Sequence, residues 1–233
     1  MKVALLGYGK MGKTIEKIAI ERGHEIIIKT NDEAGYDISK ADVAIDFSVP
    51  EAAFFNIIKC FKHGVPVVSG TTGWLENREK AEALCKEENG AFIYASNFSL
   101  GVNIFFELNK QLAKMMSKLD AYKVAMEEVH HAQKLDSPSG TAITLAETII
   151  AEHDNYTDWN LVSEKENTIP ITAKRIDDVS GTHTVAYTSK TDTITLEHEA
   201  HSREGFALGA IIAAEWLKDK KGVFTMKDVL NIG

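Results

Sequence analysis

The chain has 233 residues, of which 44% are hydrophobic and 26% are charged, and its formal net charge at pH 7 is −8. This composition is typical of a folded globular protein and excludes an intrinsically disordered chain, and no apolar run approaches the roughly 18 residues of a membrane-spanning helix. The acidic balance argues against a broad nucleic-acid-binding surface, so any anion site must be local.

The two cysteines, Cys60 and Cys85, lie singly within helical patterns, without a Cys-x-x-Cys pair or a ligand-like spacing to histidine. This pattern predicts reduced, partly buried thiols and offers no metal-binding motif. The apolar opening residues, 1–6, are too few for a signal peptide and lack a cleavage pattern. We therefore expect a cytoplasmic protein without a metal site.

A glycine-rich turn follows the first predicted strand. Residues 2–6 form a continuous apolar strand, Gly7-Tyr8-Gly9-Lys10-Met11-Gly12 has the G-x-G-x-x-G pattern, and residues 13–22 and 25–29 predict a helix and a second strand. In such a unit the glycines permit a tight turn, close approach of a pyrophosphate and close packing of helix on strand. The pattern indicates a dinucleotide site; the alternative is a tight turn that binds no ligand.

The end of the second predicted strand bears on the choice of dinucleotide. An acidic residue at this place usually holds the adenine ribose. Asp32 lies 20 residues past Gly12, but Lys29 and Asn31 are close to it in the sequence. The pattern therefore predicts Asp32 as a cofactor residue and leaves both NADH and NADPH open.

Strands and helices alternate over about the first 98 residues. Strands are predicted over 41–47, 66–69 and 91–95, and helices over 51–62 and 77–88. Alternation of this kind indicates a parallel, doubly wound sheet. One of these strands leads into the small-residue turn Gly70-Thr71-Thr72-Gly73, at a carboxyl end where open α/β sheets bind ligands.

The pattern changes after residue 98. The later predicted segments are a helix over 104–119, a polar loop over 154–167, strands over 169–176, 183–188 and 193–200, and a helix over 205–218. Leu108, Leu112 and Met115 share one face of the first of these helices and are predicted to be core. We expect the last helix to return to the first domain and pack on its sheet.

These segments predict an α/β fold with an N-terminal Rossmann-type doubly wound parallel sheet and a second, α+β domain. Residues 1–98 and 206–233 are assigned to the first domain, and residues 99–205 to the second.

Residues 127–142, EEVHHAQKLDSPSGTA, carry the densest group of titratable and anion-binding residues. An apolar strand over 124–129 leads into His130 and His131, and Lys134 follows. Histidine titrates near neutral pH and can act as a general acid, and a lysine adds a fixed cation.

The turn Ser137-Pro138-Ser139-Gly140-Thr141 leads into an amphipathic helix that is predicted to begin at about Ser139. The free backbone N–H groups at a helix start, with the Ser139 and Thr141 hydroxyls, suit a carboxylate or a phosphate. The whole stretch predicts a pocket for a small polyanion that undergoes proton transfer. The alternative is a surface loop followed by an ordinary helix cap.

Together these motifs resemble the dihydrodipicolinate reductase family, over nearly the whole chain. The family pattern E-x-H-H-x-x-K-x-D-x-P-S-G-T is matched by Glu128, His130, His131, Lys134, Asp136, Pro138, Ser139, Gly140 and Thr141. Other segments similar to the family are Asp46-Phe47-Ser48, Ala95-Ser96-Asn97-Phe98-Ser99, Gly181 with His183, and Phe206, Ala207 and Gly209.

The resemblance implies roles for particular residues. His130 would be the general acid and base, and Lys134 a second proton donor or electrostatic stabiliser. Residues 1–98 and 206–233 would bind the dinucleotide, and residues 99–205 would bind substrate and form the oligomer. With the helix-start assignment, the candidate substrate residues are His131, Ser139, Gly140 and Thr141. With the pattern-based assignments, the candidate cofactor residues are Gly7, Tyr8, Gly9, Lys10, Met11, Gly12, Asp32, Gly70, Thr71, Thr72, Ala95, Ser96, Asn97 and Phe98.

The implied activity is the reduction of 4-hydroxy-tetrahydrodipicolinate to tetrahydrodipicolinate by NADH or NADPH, in lysine and diaminopimelate biosynthesis, by a homotetramer. Loss of the 4-hydroxyl would give a conjugated imine, hydride would add at C4, and the region of His130 and Lys134 would supply a proton. Many family members have an extra glycine and an arginine in the first turn, whereas this chain has Lys10, so the cofactor preference stays open.

Two alternatives share the glycine turn. Another Rossmann-type oxidoreductase, such as an amino-acid dehydrogenase, would bind the dinucleotide without needing the histidine stretch. A dinucleotide-sensing or scaffold protein would bind it without turnover, because binding and chemistry use the same cradle.

Overall fold

The computed structural model describes residues 1–31, 35–161 and 165–232. The strands, in chain order, are β1 (Lys2–Leu6), β2 (Glu25–Thr30), β3 (Val43–Asp46), β4 (Val67–Ser69), β5 (Ala91–Tyr94), β6 (Lys123–His130), β7 (Asp158–Asn160), β8 (Thr168–Arg175), β9 (Thr182–Thr188), β10 (Thr193–Glu199) and β11 (Gly222–Phe224). The helices are α1 (Lys10–Glu21), α2 (Pro50–Lys62), α3 (Arg78–Glu87), α4 (Leu100–Met116), α5 (Gly140–Glu152), α6 (Glu204–Leu217) and α7 (Met226–Leu230).

The chain divides into two compact units, the first formed by Met1–Leu100 with Glu204–Gly233 and the second by Gly101–Arg203. The sheet of the first unit has six parallel strands in the order β11-β5-β4-β3-β1-β2. The strand order reverses at β1, whose neighbours are β2 on one side and β3 on the other. Open parallel sheets bind ligands at the carboxyl ends of the strands beside such a point.

Helices cover both faces of this sheet, which explains why its strands are continuous apolar runs. Alternate residues of β1 point to opposite faces of the sheet and pack in two different hydrophobic cores. Val3 and Leu5 pack with residues of α1 and α6, whereas Ala4 and Leu6 pack with residues of α2 and α3. The second of these cores also contains the two cysteines, both unpaired and fully buried rather than partly buried.

Helix α6 packs on the sheet of the first unit, as the sequence predicts, and contacts β3, β4 and β5. The approach is close at Gly209, where a Cβ atom would lie 1.8 Å from the backbone oxygen of Phe98. Only glycine fits this place without displacing the chain that follows β5. The predicted return of the last long helix to the first sheet is therefore confirmed.

The second unit has a five-stranded mixed sheet in the order β10-β9-β6-β8-β7. Strand β6 is central, antiparallel to β9 and parallel to β8. Helices α4 and α5 pack on this sheet through residues such as Phe105 and Leu145. This unit is the α+β region that the sequence predicts, and the two sheets together confirm the predicted fold class.

The predicted core face of α4 is wrong at two of its three residues. Leu108 and Met115 are 51% and 70% exposed, and Leu112 is half-buried. The face that packs inward instead contains Phe105 and Asn109, whose side-chain amide donates to the Leu145 carbonyl oxygen at 3.1 Å. The inward face of α4 is therefore the side on which the Asn109 amide finds a protein partner for its N–H group.

Sequence patterning missed several short elements. Strand β7 lies inside the predicted polar loop and pairs with β8, and β11 and α7 follow the last predicted helix. Elements of three to five residues carry too little periodicity to predict. Within the described residues, no helix combines the length and the apolar character needed to cross a bilayer.

Candidate active site

The glycine turn of the first unit lies at the carboxyl end of β1. Gly7 has a positive φ of 94°, and a Cβ atom on it would lie 2.1 Å from the Phe47 backbone oxygen. A Cβ atom on Gly12 would lie 2.4 Å from the Gly7 backbone oxygen. A Cβ atom on Gly9 would meet nothing within 4 Å. The fold itself therefore requires two of the glycines, and the third leaves space above the turn.

A cleft of about 260 Å³ opens above this turn. Its lining residues are Gly7, Gly9, Thr30, Asn31, Phe47, Ser48, Val49, Ala52 and Asn56. A second cavity of about 330 Å³ shares Gly9, Phe47 and Ser48 and is also lined by Lys10, Met11, Pro50, Gly70, Thr71 and Thr72. The two cavities run along the carboxyl ends of β2, β1, β3 and β4, where the switch in strand order predicts a ligand.

The cleft contains groups that suit the pyrophosphate of a dinucleotide. Helix α1 begins at Lys10 with Gly9 as its N-cap, and no side chain caps it. Its first N–H groups therefore remain available for a pyrophosphate, and the bare Gly9 backbone permits close approach. The helix starts three residues earlier than the sequence predicts, which puts its positive end at the glycine turn itself.

A buried carboxylate, Asp46, lies under the cleft at the end of β3. Its oxygens accept hydrogen bonds from the side chains of Ser48 (2.6 Å), Asn56 (3.0 Å), Ser69 (2.9 Å) and Thr71 (2.8 Å). Burial raises the pKa of Asp46, and these four donors oppose the shift. The network joins the ends of β3 and β4 and so fixes the turns that line the cleft.

Two groups of predicted cofactor residues lie elsewhere at the same sheet edge. The Tyr8 N–H donates to the Asn31 side chain at 2.6 Å, and the Tyr8 hydroxyl donates to Glu16. The loop after β5 holds Ala95, Ser96, Asn97 and Phe98, of which only Phe98 is fully buried, against Phe47. The predicted ribose residue, Asp32, lies outside the described residues.

In the second unit, strand β6 places a carboxylate and a histidine on the same side. Alternate residues of β6, Val124, Met126, Glu128 and His130, are buried. Side chains two apart in a strand share a face, so Glu128 and His130 continue the buried row that Val124 and Met126 begin. Pairing with the neighbouring strands adds His183, opposite Glu128 on β9, and Arg175, opposite His130 on β8.

Glu128 is completely buried and joins several groups. Its Oε2 accepts the Ser139 N–H at 2.9 Å, and its Oε1 accepts from Arg175 Nη1 at 3.2 Å. His130 Nδ1 and His183 Nε2 lie 3.7 and 3.9 Å from Oε2. Burial alone would raise the pKa of Glu128, but the Ser139 hydrogen bonds and the neighbouring positive charges hold it below its usual value.

The two histidine rings meet edge to face. The ring centroids of His130 and His183 are 5.0 Å apart and the planes are 73° apart. Burial lowers the pKa of His183 to about 4, so this ring is neutral at pH 7. Burial also lowers the pKa of His130, while the Glu128 charge raises it. The net effect holds the pKa of His130 below its usual value.

Arg175 fixes the turn between β6 and α5. Its Nη2 donates to the Asp136 backbone oxygen at 2.7 Å, and its Nε donates to the Lys134 backbone oxygen at 3.4 Å. The Lys134 ammonium lies 2.9 Å from the Asp136 carboxylate. His131 follows the strand, half-buried, with no hydrogen-bond partner for its buried Nδ1 among the described residues.

Helix α5 begins at Gly140 with Ser139 as N-cap. The Ser139 hydroxyl accepts the Ala142 N–H at 3.2 Å and lies 3.0 Å from His183 Nε2. The Gly140 and Thr141 N–H groups find no acceptor in the described part of the chain, and a Cβ atom on Gly140 would meet nothing within 4 Å. Two unpaired N–H groups at a helix start, with open space above them, suit a carboxylate.

Both parts of the chain match models of one protein family. Residues 1–98 match "Dihydrodipicolinate reductase, N-terminus" and residues 101–230 match "Dihydrodipicolinate reductase, C-terminus". The chain belongs to the dihydrodipicolinate reductase family. The resemblance carried by the histidine stretch and the glycine turn is therefore confirmed.

Curated relatives cover the chain from end to end. A 4-hydroxy-tetrahydrodipicolinate reductase of Christiangramia forsetii is 60% identical over 99% of this chain and 98% of its own length. One from Archaeoglobus fulgidus is 40% identical over 99% of this chain and 100% of its own length. The chain is thus similar in sequence to full-length reductases of this family.

Solved structures show the same fold. A dipicolinate-bound dihydrodipicolinate reductase from Paenisporosarcina sp. TG-14 has a TM-score of 0.81 and 23% identity, covering 97% of each chain. An aspartate dehydrogenase from Thermotoga maritima has a TM-score of only 0.51 and 16% identity, covering 96% of this chain and 99% of its own. The family matches and the relatives favour the dihydrodipicolinate reductases over an amino-acid dehydrogenase.

Three residues of this site received no role in the sequence analysis: Glu128, Arg175 and His183. The alternation of residues along β6 could have indicated Glu128, because this carboxylate occupies the next position in a row of apolar, inward-facing residues. Glu128, His130 and His183 each have one atom that could bind a metal ion, and these atoms lie within 4.8 Å of one another. Both Glu128 oxygens already accept N–H groups, one from a guanidinium, which opposes a bound cation.

Proposed function

We propose that this chain reduces 4-hydroxy-tetrahydrodipicolinate to tetrahydrodipicolinate with hydride from NADH or NADPH, in lysine and diaminopimelate biosynthesis. The observation that carries the proposal is the 60% identity, over 99% of the chain, to a protein named for this reaction. The buried histidine and carboxylate beside an open helix start supply the chemistry that the reaction needs.

In this proposal the first unit binds the cofactor, which supplies the hydride when bound. The N–H groups at the start of α1 and the bare Gly9 backbone hold the pyrophosphate. Gly70, Thr71 and Thr72, kept in place through Asp46, and the loop of Ala95, Ser96, Asn97 and Phe98 bind the nicotinamide part. Asp32 is proposed to hold the adenine ribose.

The second unit binds the substrate dicarboxylate. The Gly140 and Thr141 N–H groups and the Thr141 hydroxyl take one carboxylate, and His131 contributes to carboxylate binding. The Ser139 hydroxyl, engaged with Ala142 N and His183, keeps the helix start in shape. Holding both carboxylates fixes the ring of the substrate, so much of the rate gain is positional.

Proton transfer completes the reduction. After the 4-hydroxyl leaves as water and hydride adds at C4 of the conjugated imine, His130 gives a proton to the neighbouring ring carbon of the resulting enamine. Lys134 acts as a second donor or stabilises negative charge. Burial lowers the pKa of His130 below its usual value, and the Glu128 carboxylate only partly opposes this shift, so the protonated ring gives up its proton more readily than an exposed imidazole.

The choice between NADH and NADPH depends on the end of β2. Lys29, the cation of this strand, lies 3.0 Å from Glu16 and over the Tyr8 ring. Because the Glu16 carboxylate compensates the positive charge of Lys29, this lysine attracts a 2′-phosphate only weakly. We therefore propose that both cofactors are used. Glu16→Gln frees Lys29 and should lower the KM for NADPH relative to that for NADH.

We also propose a cytoplasmic homotetramer. The exposed apolar side chains of α4, among them Leu108 and Met115, and the edge strand β10 offer surface for another copy of the second unit. Light scattering at the working concentration should give four times the monomer mass. A monomer would exclude the assembly and leave the enzyme assignment intact.

The direct test of function follows nicotinamide absorbance with the product of the condensation of pyruvate and aspartate semialdehyde. Oxidation of NADH or NADPH that depends on this product supports the proposal. Oxidation of NADH or NADPH only with a keto acid and ammonia, or reduction of NAD⁺ or NADP⁺ with an amino acid, would favour another oxidoreductase. Cofactor binding without any turnover would favour a sensing protein.

A further inference from the structure

We propose that Glu128 is a positioning residue that fixes His130 and the anion-binding start of α5 relative to each other. This inference rests on the proposed function, in which His130 exchanges the proton and the helix start binds a substrate carboxylate. Glu128 touches neither substrate nor cofactor in this account, and acts through the two groups that do.

The carboxylate of Glu128 is completely buried. Glu128 has no exposed surface, and a buried charge persists only where hydrogen bonds and opposite charges compensate for the lost water. Oε1 receives the Arg175 guanidinium, which leaves Oε2 for the Ser139 N–H and for the two histidines. One oxygen atom therefore faces both the helix start and His130.

The position of Glu128 distinguishes the two nitrogens of His130. Nδ1 is buried and lacks a hydrogen-bond partner among the described residues, and Glu128 Oε2 lies 3.7 Å from it. A proton on Nδ1 faces this carboxylate, which leaves Nε2 as the nitrogen that exchanges its proton with the substrate. When His130 has given up the Nε2 proton, the carboxylate still favours the tautomer that keeps the proton on Nδ1.

The other edge of the His130 ring lies against Gly181. The position that a Cβ atom would take on Gly181 is 3.2 Å from both Cδ2 and Nε2 of His130. A side chain there would press on the ring, so the glycine lets His130 keep the orientation that turns Nδ1 toward Glu128. The neutral His183 ring, edge to face with His130, closes a third side.

The charges that face His130 come from three segments. Glu128 on the same strand and Asp136 in the turn raise its pKa, whereas Lys134 in the turn and Arg175 on β8 lower it. His183 on β9 faces it as a neutral ring. Removal of Glu128 and removal of Arg175 should therefore move the titration of His130 in opposite directions.

The test compares Glu128→Gln, Arg175→Gln and the control Glu127→Gln. Glu127 is the preceding residue of β6, half exposed, with its carboxylate 2.6 Å from Lys174 at the surface. Glutamine at 128 keeps the shape of the side chain but cannot accept both the Ser139 and the Arg175 N–H groups. Two measurements are made on each full-length variant: kcat/KM against pH, and the imidazole NMR titration of His130.

The expected result is a shift of the high-pH limb of kcat/KM, which reports the proton donor of the free enzyme. In Glu128→Gln the limb and the His130 titration should move to lower pH by roughly 1 to 3 units, the effect of losing an opposite charge within 4 to 6 Å. The KM for substrate should also rise. In Arg175→Gln both curves should move to higher pH, and in Glu127→Gln neither should move.

Three outcomes separate this inference from the proposed function. Lower activity in Glu128→Gln with an unmoved limb and an unmoved His130 titration would overturn the inference, because a merely structural residue gives that result. A moved titration with an unmoved limb would support the role of Glu128 and remove His130 as proton donor. If Glu128→Gln does not fold, the opposite shift in Arg175→Gln decides the question, and its absence overturns the inference.

Discussion

The Ser139 hydroxyl lies 3.0 Å from Nε2 of His183 and also accepts the N–H of Ala142. In the neutral tautomer of His183 that carries its proton on Nδ1, the hydroxyl donates its proton to Nε2 while it accepts from the helix. One serine thus links strand β9 to the start of α5. The low pKa of His183 agrees with this arrangement, because a protonated Nε2 could not accept that hydrogen bond.

The buried His183 predicts a loss of stability in mild acid. The unfolded chain binds a proton at His183 near pH 6.5, whereas the folded chain does so only near pH 4. The contribution of neutral His183 to the free energy of unfolding is therefore fully present above about pH 6.5 and is lost as the pH falls toward 4. The difference corresponds to about 3 kcal/mol at the acid end.

Urea unfolding of the wild type and of His183→Gln between pH 4 and pH 7 measures this contribution. Glutamine can still bond to Ser139 but does not titrate, so the variant should lose less stability on acidification. The quantity compared is the slope of the free energy of unfolding against pH in the two proteins. His130 also has a lowered pKa and adds to both slopes, so only their difference reports His183. Equal slopes would show that His183 accepts a proton in the fold as easily as in the unfolded chain.

His130→Gln should lower kcat by about 10² to 10⁴, the usual range for loss of a general acid. Cofactor affinity should not change, because His130 belongs to the second unit and the glycine turn to the first. Steady-state kinetics and NADH fluorescence titration measure the two quantities. His63→Gln, at an exposed histidine after α2, is the matched control. An unchanged kcat would remove His130 from the mechanism.

The helix start predicts two separable effects on substrate recognition. Thr141→Val removes a hydroxyl that would bond to a charged carboxylate, a bond worth about 1.5 to 3 kcal/mol, so kcat/KM should fall by about 10- to 150-fold. Gly140→Ala places a methyl group where the protein itself offers no clash, so it should weaken substrate binding without loss of thermal stability.

Thr148→Val is the control for these variants, since its hydroxyl donates to the Thr144 backbone oxygen within the same helix. It should leave kcat/KM unchanged. Unchanged kinetics in Thr141→Val and Gly140→Ala, together with lower melting temperatures, would show that this segment serves only as a helix start.

Substitution of two glycines of the turn should have different effects, one on cofactor binding and the other on stability. Gly9→Ala should fold normally, because a Cβ atom meets nothing within 4 Å, and should raise the KM for the nicotinamide cofactor about tenfold or more by keeping the pyrophosphate away. Gly12→Ala should lower the free energy of unfolding by about 1 to 3 kcal/mol, because its Cβ atom would overlap the Gly7 backbone oxygen.

Chemical denaturation and cofactor kinetics of both variants check this pair. Normal cofactor kinetics in a well-folded Gly9→Ala protein would show that the space above the turn is not used by the pyrophosphate. Full stability in Gly12→Ala would show that the turn can move away from α1 without cost.

The sequence by itself determined the features that depend on local order. The glycine turn between β1 and α1, the alternation of strands and helices, and the helix start at Ser139 follow from residues close together in the chain. The fold class and the family could be predicted because these local signals agree with one another. The roles of His130, Lys134 and the other predicted site residues remain predictions.

Only the tertiary structure decided what faces these residues. Glu128, Arg175 and His183 meet because β6 lies between β8 and β9 in a fixed register. The exposure of Leu108 and Met115 likewise depends on which side of α4 accepts the buried Asn109. The pairing of distant strands and the packing of a helix on a sheet depend on contacts between segments far apart in sequence, which local periodicity does not encode.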